Sequence, residues 1–320
     1  MPLHLRLSAG LLLFLALLSA AFAQTSRGSL SGTVTDSQGA LVSNASVTIT
    51  QRATNVTRQT TTNSAGIYRF DAVDLGTYDV LVKAPGFATE NKTGVQIESA
   101  RNASIDFGLK VGAASEVINV EASGLEVQLD TTEQTRGQHF ETQSINNLPL
   151  VGGDSLTLAQ LTPGVALAAG GSINQNGTFA YSVNGQRPRG NNFMIDGVEN
   201  NDISVTGPAF TITNPDAVQE VSIQTSNFSA EFGRAGGAVF NQVTKSGTNG
   251  IHGTANWAYT GSAFKALDHS DKRNHLFDPA RAVENIPYFS IGGPVVIPHL
   301  YDGHNKTFFF GAAQWDRFFG

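Results

Sequence analysis

The chain has 320 residues, and its 20 Lys and Arg against 26 Asp and Glu leave a net charge of −6 with no polybasic run. Binding to a nucleic-acid backbone needs clustered positive charge, so that class of partner is excluded. The absence of Cys excludes disulfides, thiolate metal sites and Cys nucleophiles, while 34 Gly amid abundant Ser, Thr, Asn and Gln predict a mainly β, turn-rich protein.

Residues 1–23 read as an export signal. His4 and Arg6 precede the apolar run Leu11 to Leu18, and Ala21-Phe22-Ala23 places small residues where a signal peptidase reads, so cleavage is expected after Ala23. The apolar run is less than half of the roughly 20 residues that a spanning helix needs.

Residues 24–110 are expected to form a β-sandwich. Short β-prone segments recur at Ser31 to Thr35, Ser46 to Thr50, Ile67 to Phe70, Tyr78 to Lys83 and Ala103 to Leu109. Between them lie turn formers such as Asp36-Ser37-Gln38-Gly39, Asn63-Ser64-Ala65-Gly66 and Pro85-Gly86. Tyr78, Val80 and Val82 share one face of their strand, which predicts an inward side. The ordered stretches Gly32-Thr33-Val34-Thr35-Asp36, Thr62 to Phe70, Leu75-Gly76-Thr77-Tyr78 and Ala84-Pro85-Gly86-Phe87 resemble a carboxypeptidase-regulatory-like domain. That resemblance implies a seven-stranded, transthyretin-like sandwich of carbohydrate-binding-like fold, with no catalytic residues.

Residues 111–122 form a linker in which Glu116 to Ala122 alternates. From the pattern alone this is an edge strand. The alternative is a TonB box at Val117, Ile118, Asn119 and Val120, a segment that would pair by main chain with an energising partner. The residues downstream decide between them. Residues 123–248 present, in order, Ile145 to Leu150, Leu158 to Gly164, Val183-Asn184-Gly185-Gln186-Arg187, Phe193 to Val198, Pro215 to Val221 and Glu231 to Gly247. This series resembles the α+β plug of TonB-dependent receptors. Phe228 to Gly233, Asn191-Asn192 and the preceding sandwich are similar to the Oar-like branch of that family. The resemblance puts the plug motifs on Asn184, Gly185, Arg187, Asp196, Gly197, Arg234, Gly236 and Gly237. Arg187, Arg189, Arg234 and Lys245 are expected either to pair with carboxylates of a barrel wall or to be ordinary surface charge.

Residues 249–320 read as the first strands of an antiparallel outer-membrane β-barrel. Ile251, Ala255, Trp257 and Tyr259 alternate with His252, Thr254, Asn256 and Thr260, apolar outside and polar inside. A second segment aligns Phe289, Ile291, Val295 and Ile297, and a third begins at Lys306-Thr307-Phe308-Phe309-Phe310. A long charged connection, Ser262 to Asn285, precedes a short one, Pro298 to Asn305, as in outer-membrane barrels. Trp257, Tyr259 and Tyr288 suit an interfacial girdle. Plugged transporters have about 22 strands and these residues supply about three, so the chain is expected to be the amino-terminal part of a longer receptor.

No His-Glu-x-x-His, phosphate-binding Gly-Lys-Ser/Thr or Gly-x-Ser-x-Gly pattern is present, and the His residues after 268 lack ligand spacing. The acidic turn of Asp196, Glu199 and Asp202 lacks an EF-hand register. No enzyme, metal or cofactor is therefore expected. The reading is a receptor of the Gram-negative outer membrane, energised by a TonB-type inner-membrane complex and taking up an extracellular siderophore, glycan or peptide through a lipid-embedded barrel. The alternative is a secreted or periplasmic carbohydrate- or protein-binding module whose sandwich uses surface aromatics such as Tyr68 or Phe87.

Overall fold

A computed structural model describes residues 27–99, 101–113, 117–121, 135–150, 153–168, 180–203, 207–229, 232–262, 266–267, 272–273 and 283–319. The expected export signal, residues 1–23, lies outside them. Among the described residues no helix is long and apolar enough to cross a membrane.

The sandwich begins with β1 (Gly28–Asp36), β2 (Ser46–Gln51), β3 (Thr57–Thr61), β4 (Ile67–Val73), β5 (Gly76–Lys83), β6 (Thr89–Ile97), β7 (Asn102–Ser104) and β8 (Phe107–Leu109). One sheet has the order β4-β1-β7, with β8 also on β1; the other runs β3-β2-β5-β6 and continues to β9 (Val117–Glu121). Eight strands thus lie between Gly28 and Leu109 where seven are expected. The difference arises at Ile105 and Asp106, which separate two three-residue strands that both run parallel to β1. Strands β3 and β6 escape a hydrophobicity reading because β3 is Thr-Arg-Gln-Thr-Thr, almost wholly exposed, and β6 carries Glu, Asn, Lys and Thr. Their place comes from backbone pairing to β2 and β5.

The core between the sheets contains Leu30, Val34, Val47, Ile49, Tyr68, Phe70, Val80, Val82 and Phe107. The alternation in β1 and β5 puts every second side chain there. Tyr78, Val80 and Val82 are buried together, as their spacing predicts. Tyr68 packs against Phe70 and Phe107 with ring centroids 6.2 Å away and donates its hydroxyl to the Ile105 carbonyl at 2.7 Å. Burial raises its phenol pKa. Tyr68 is only 1% exposed and so is no surface platform for a sugar ring, while Phe87 packs on the same core and is half-buried.

The plug consists of β10 (Arg136–Glu141), α1 (Thr142–Asn147), a 3-10 segment at Ser155–Leu161, β11 (Val165–Leu167), β12 (Tyr181–Val183), β13 (Asn192–Ile195), β14 (Val198–Glu199), β15 (Val218–Ser226) and β16 (Val239–Thr244). Its main sheet runs β10-β15-β16-β13-β14, with β11 and β12 forming a separate ribbon. Ile145 of α1 and Leu156 and Leu158 of the 3-10 segment cover one side of this sheet with Phe140, Val221, Ile223 and Phe240.

Asp154 caps the 3-10 segment, its carboxylate accepting from the Leu156 N–H at 2.8 Å. Burial nevertheless pushes the carboxyl up to about 6, outweighing the hydrogen bond that favours its charge. A folded-state value above that of the unfolded chain makes the ionised form destabilising. The contribution of Asp154 to plug stability is therefore fully present below about pH 4 and is lost as the pH rises through about 6. Asp154→Asn retains an acceptor for Leu156, and is expected to flatten that dependence and to stabilise the plug at neutral pH by about 2 kcal/mol. Urea midpoints of the two proteins across this pH range, read by pulse proteolysis of the plug, check it.

The last part contains β17 (His252–Gly261), β18 (Val283–Pro294), β19 (Val296–Ile297), β20 (Tyr301–Asp302), β21 (Phe308–Gln314) and β22 (Arg317–Phe319). Strands β17, β18 and β21 form an antiparallel sheet, β22 pairs with the start of β18, and β19 with β20 makes a small hairpin in the short connection. The register aligns Ala255 with Phe289, Gly253 with Ile291, and Gly293 with Phe309, so the apolar residues share one face. Thr254 opposes Ser290 and Asn256 opposes Tyr288 on the other.

Candidate functional site

The segment Val117 to Val120 is a strand in the structure and part of the sandwich. Strand β9 runs parallel to β6, pairing Val117 with Thr89 and Glu121 with Thr93, and Asn91 Nδ2 donates to Asn119 Oδ1 at 3.0 Å. The docking begins upstream, where the Ala88 N–H donates to the Lys110 carbonyl and Phe87 bridges Val111. β9 is the terminal strand in the sheet order, with Val117 at 52% and Val120 at 37% exposure. In a parallel ladder alternate residues direct their N–H and C=O groups to opposite sides. One edge of the segment is paired to β6, and among the described residues no strand pairs with the other.

The plug motifs are structural turns and braces. Asn184 and Gly185 both have positive φ, 51° and 77°, and the Gln186 N–H closes the turn on the Val183 carbonyl at 2.9 Å. Asp196 and Gly197, at 52° and 79°, make the two-residue connection of the β13–β14 hairpin. Positive φ at both central positions is the requirement of a type I′ turn, which is why Asn-Gly and Asp-Gly occur there. The Asp196 carboxylate then accepts from both the N–H and the hydroxyl of Thr244, each at 2.8 Å, fastening the hairpin to the end of β16. Gly236 and Gly237 both donate their N–H groups to the Gly190 carbonyl, and the Arg187 carbonyl accepts from Gly190. Arg234 pairs with Glu199, and the hydrogen bonds that Glu199 accepts from Asn201 and Arg234 hold its carboxyl below the usual range. Beside Arg234 a cavity of about 210 Å³ is lined by Arg189, Asn191, Asn201 and Asp202. The acidic turn is thus occupied by protein donors, and no group of metal-ligating side chains occurs among the described residues.

The plug meets the barrel sheet through a residue whose role the sequence did not single out. Asp216, 6% exposed, sits in a short turn capped by Asn214. Its Oδ2 accepts from Thr254 Oγ1 at 2.7 Å and from Asn256 Nδ2 at 2.6 Å, both on the polar face of β17. Thr213 Oγ1 likewise accepts from Gln314 Nε2 of β21 at 2.8 Å. The expected polarity is reversed here: the plug supplies the carboxylate and the barrel wall the neutral donors, while Arg234 finds its carboxylate inside the plug. Burial lowers the Lys245 pKa, with the nearby Asp216 charge opposing the shift. Around this contact lies a cleft of about 480 Å³ lined by Leu148, Leu150, Asp216, Ala258 and Tyr288. Asp216→Ala takes the carboxylate acceptor from Asn256 and leaves the Thr254 hydroxyl with Ser290 alone. It is expected to weaken plug docking by about 2–3 kcal/mol, seen as faster amide exchange along β17 with β16 unaffected.

Three family models tile the chain in sequence order. The carboxypeptidase regulatory-like domain matches residues 29–110, the TonB-dependent receptor plug domain residues 128–239, and an outer membrane beta barrel domain residues 243–319. The chain is 29% identical over 301 residues to the TonB-dependent transporter Oar of Myxococcus xanthus, covering 88% of this chain and 26% of that protein. Among solved structures, the outer membrane transporter YddB from Escherichia coli aligns at 19% identity and a TM-score of 0.41, over 50% of this chain and 24% of that one. The siderophore receptor PirA from Acinetobacter baumannii aligns at 20% identity and 0.36, over 50% and 22%.

Proposed function

We infer that the chain, which carries carboxypeptidase regulatory-like, plug and outer-membrane barrel domains in the order of an Oar-like TonB-dependent receptor, belongs to an energised uptake system of the Gram-negative outer membrane. It spans 26% of the length of the curated relative. In this reading further strands close the barrel, since an open sheet edge leaves backbone groups unsatisfied in hydrocarbon. Residues 1–23 direct export and are removed after Ala23. An extracellular ligand, of siderophore, glycan or peptide class, binds on the outer side of plug and barrel. A TonB-type protein of the inner membrane pairs with Val117 to Val120 and draws on the plug. The reading assigns no chemical step to any residue.

The observation that carries it is the grip of the plug on the polar face of an amphipathic antiparallel sheet, Asp216 to Thr254 and Asn256, while the apolar side chains of Trp257, Phe289 and Ile291 are left exposed. A glycan-binding module relying on Tyr68 has no such support, because that ring is in the core.

In-cell disulfide mapping tests the reading. The chain has no Cys of its own, so Asn119→Cys reports on β9 alone. With single cysteines along the terminal strand of the energising protein, a mixed disulfide is expected at Asn119 and lost when the proton gradient partner is deleted. A native outer-membrane fraction without the chain, or with no such adduct at any partner position, would sink it.

A further inference from the structure

A buried carboxylate stands where the sandwich, the first plug strand and the plug sheet meet. Glu220 of β15 is 5% exposed, and Ser99, two residues beyond β6, is completely buried against it. The Ser99 hydroxyl donates to Glu220 Oε1 at 2.5 Å and its N–H lies 3.2 Å from the same atom. His139 of β10 approaches that oxygen through Nδ1 at 3.2 Å, and the same nitrogen is 3.9 Å from Glu98 of the sandwich. Arg101 pairs with Glu98 from the outer side at 2.5 Å. A second hydrogen bond ties the sandwich to the segment that leads from the plug into the barrel sheet, the Asn249 N–H donating to the Ala53 carbonyl at 3.0 Å.

A carboxylate taken out of water is tolerated only with its donors in place. Glu220 draws them from two sources that are separable. Ser99 belongs to the sandwich. His139 belongs to β10, which among the described residues lies at the edge of the plug sheet, paired to β15. Among the described residues β10 is also the first plug strand after β9. Tension applied at β9 reaches β10 before the other described plug strands, and its detachment leaves the remaining ladders of the sheet paired while drawing Phe140 out of the plug core. Its departure removes His139 from between Glu98 and Glu220, leaving the sandwich held to a buried carboxylate by Ser99 alone.

We propose that Glu220 is a latch that fixes the sandwich to the plug and opens when β10 is drawn off β15, so that undocking of the sandwich is coupled to the first step of plug extraction. The coupling to tension rests on the receptor reading; the latch itself does not.

The test uses the full chain in detergent. The paired substitutions Ala53→Cys and Asn249→Cys place a reporter across the junction, at backbone hydrogen-bonding distance and hence near the spacing a disulfide requires. Glu220→Ala and Ser99→Ala are expected to slow oxidation of this pair by about tenfold, the scale of one lost hydrogen bond to a charged group. Gly137→Ala tests the coupling without touching the sandwich. A Cβ at Gly137 would lie 2.2 Å from the Ile223 carbonyl oxygen, forcing β10 away from β15. It should slow oxidation similarly, as should His139→Ala, which leaves the β10 backbone in place. The proposal is overturned if Glu220→Ala leaves the oxidation rate within about twofold of its parent, or if Gly137→Ala frees the Phe140 amide to exchange while the rate stays unchanged. Amide protection of β16 identifies any variant whose plug has unfolded, and His139→Ala then decides the coupling. The cross-link is read without ligand or energising partner, so its failure is distinct from loss of the β9 adduct.

Discussion

Replacing Phe240 by Ala is expected to unfold the plug while leaving the sandwich intact. The ring is fully buried in β16 and stacks on Phe193 at 4.7 Å and 16° on one side and on Tyr181 at 5.6 Å and 25° on the other. These contacts join β13, β16 and the β11–β12 ribbon, so truncation removes the centre of the plug core rather than its margin. Loss of a buried Phe side chain costs about 3–5 kcal/mol, cavity included, a large part of the stability of a domain this size. Amides of β13, β15 and β16 should lose protection in hydrogen exchange, whereas those of β2 and β5 should not. Phe240→Leu keeps most of the buried area and gives up the ring stacking, and a loss of about 1–2 kcal/mol is expected for it. Equal protection in the Ala variant and its parent would show that the plug does not depend on this stack.

Gly32→Ala is expected to do to the sandwich what Phe240→Ala does to the plug. In β1 a Cβ at this position would lie 1.8 Å from the Ile105 carbonyl oxygen and 2.9 Å from the Tyr68 ring. The Ile105 carbonyl is the one that Tyr68 bonds, and the Ile105 N–H in turn donates to Ser31 at 2.9 Å. The methyl group therefore displaces the link between β7 and β8, breaks a buried hydrogen bond and moves the Tyr68 ring in the core. The combined cost should exceed about 3 kcal/mol, above the usual range for overpacking because an unsatisfied hydroxyl is added to the steric term. Tyr68→Phe removes the hydrogen bond alone and should cost about 1–2 kcal/mol. Amide exchange in β2 and β5, with β16 as the internal reference, measures both. The two effects arise in separate cores, so the double variant Gly32→Ala, Phe240→Ala should lose the sum of the two stabilities, each in its own domain.

Local pattern was a good guide wherever the determinant was local. Every second residue of β1 and β5 is apolar because those strands have one dry face, and the Asp-Gly and Asn-Gly pairs stand where the backbone must take positive φ twice in succession. The alternation around Trp257 marks the two faces of β17, of which the polar one meets the plug. Strands β3 and β6 left no such mark. Their side chains are mostly polar, and their conformation is imposed by the ladder of a neighbour. The same holds for Val117 to Val120, whose alternation is compatible with a free segment or with a strand. Only the docking on β6 distinguishes them.

The contacts between units lie further from what a sequence displays. Asp216 stands inside a recognisable plug landmark, yet its partners Thr254 and Asn256 are 38 and 40 positions away. Ser99 and Glu220 are 121 positions apart, and neither residue type marks itself as buried. A carboxylate and a hydroxyl are ordinary surface groups in any linear reading, and nothing local tells that water will be excluded around them. The order of the three units, the inner and outer faces of their strands and the places where the chain turns are written in the residue order, because they depend on side-chain period and backbone φ. Which edges pair, which carboxylates are dry and where one unit holds the next are settled only on folding, because desolvation depends on what arrives from elsewhere in the chain.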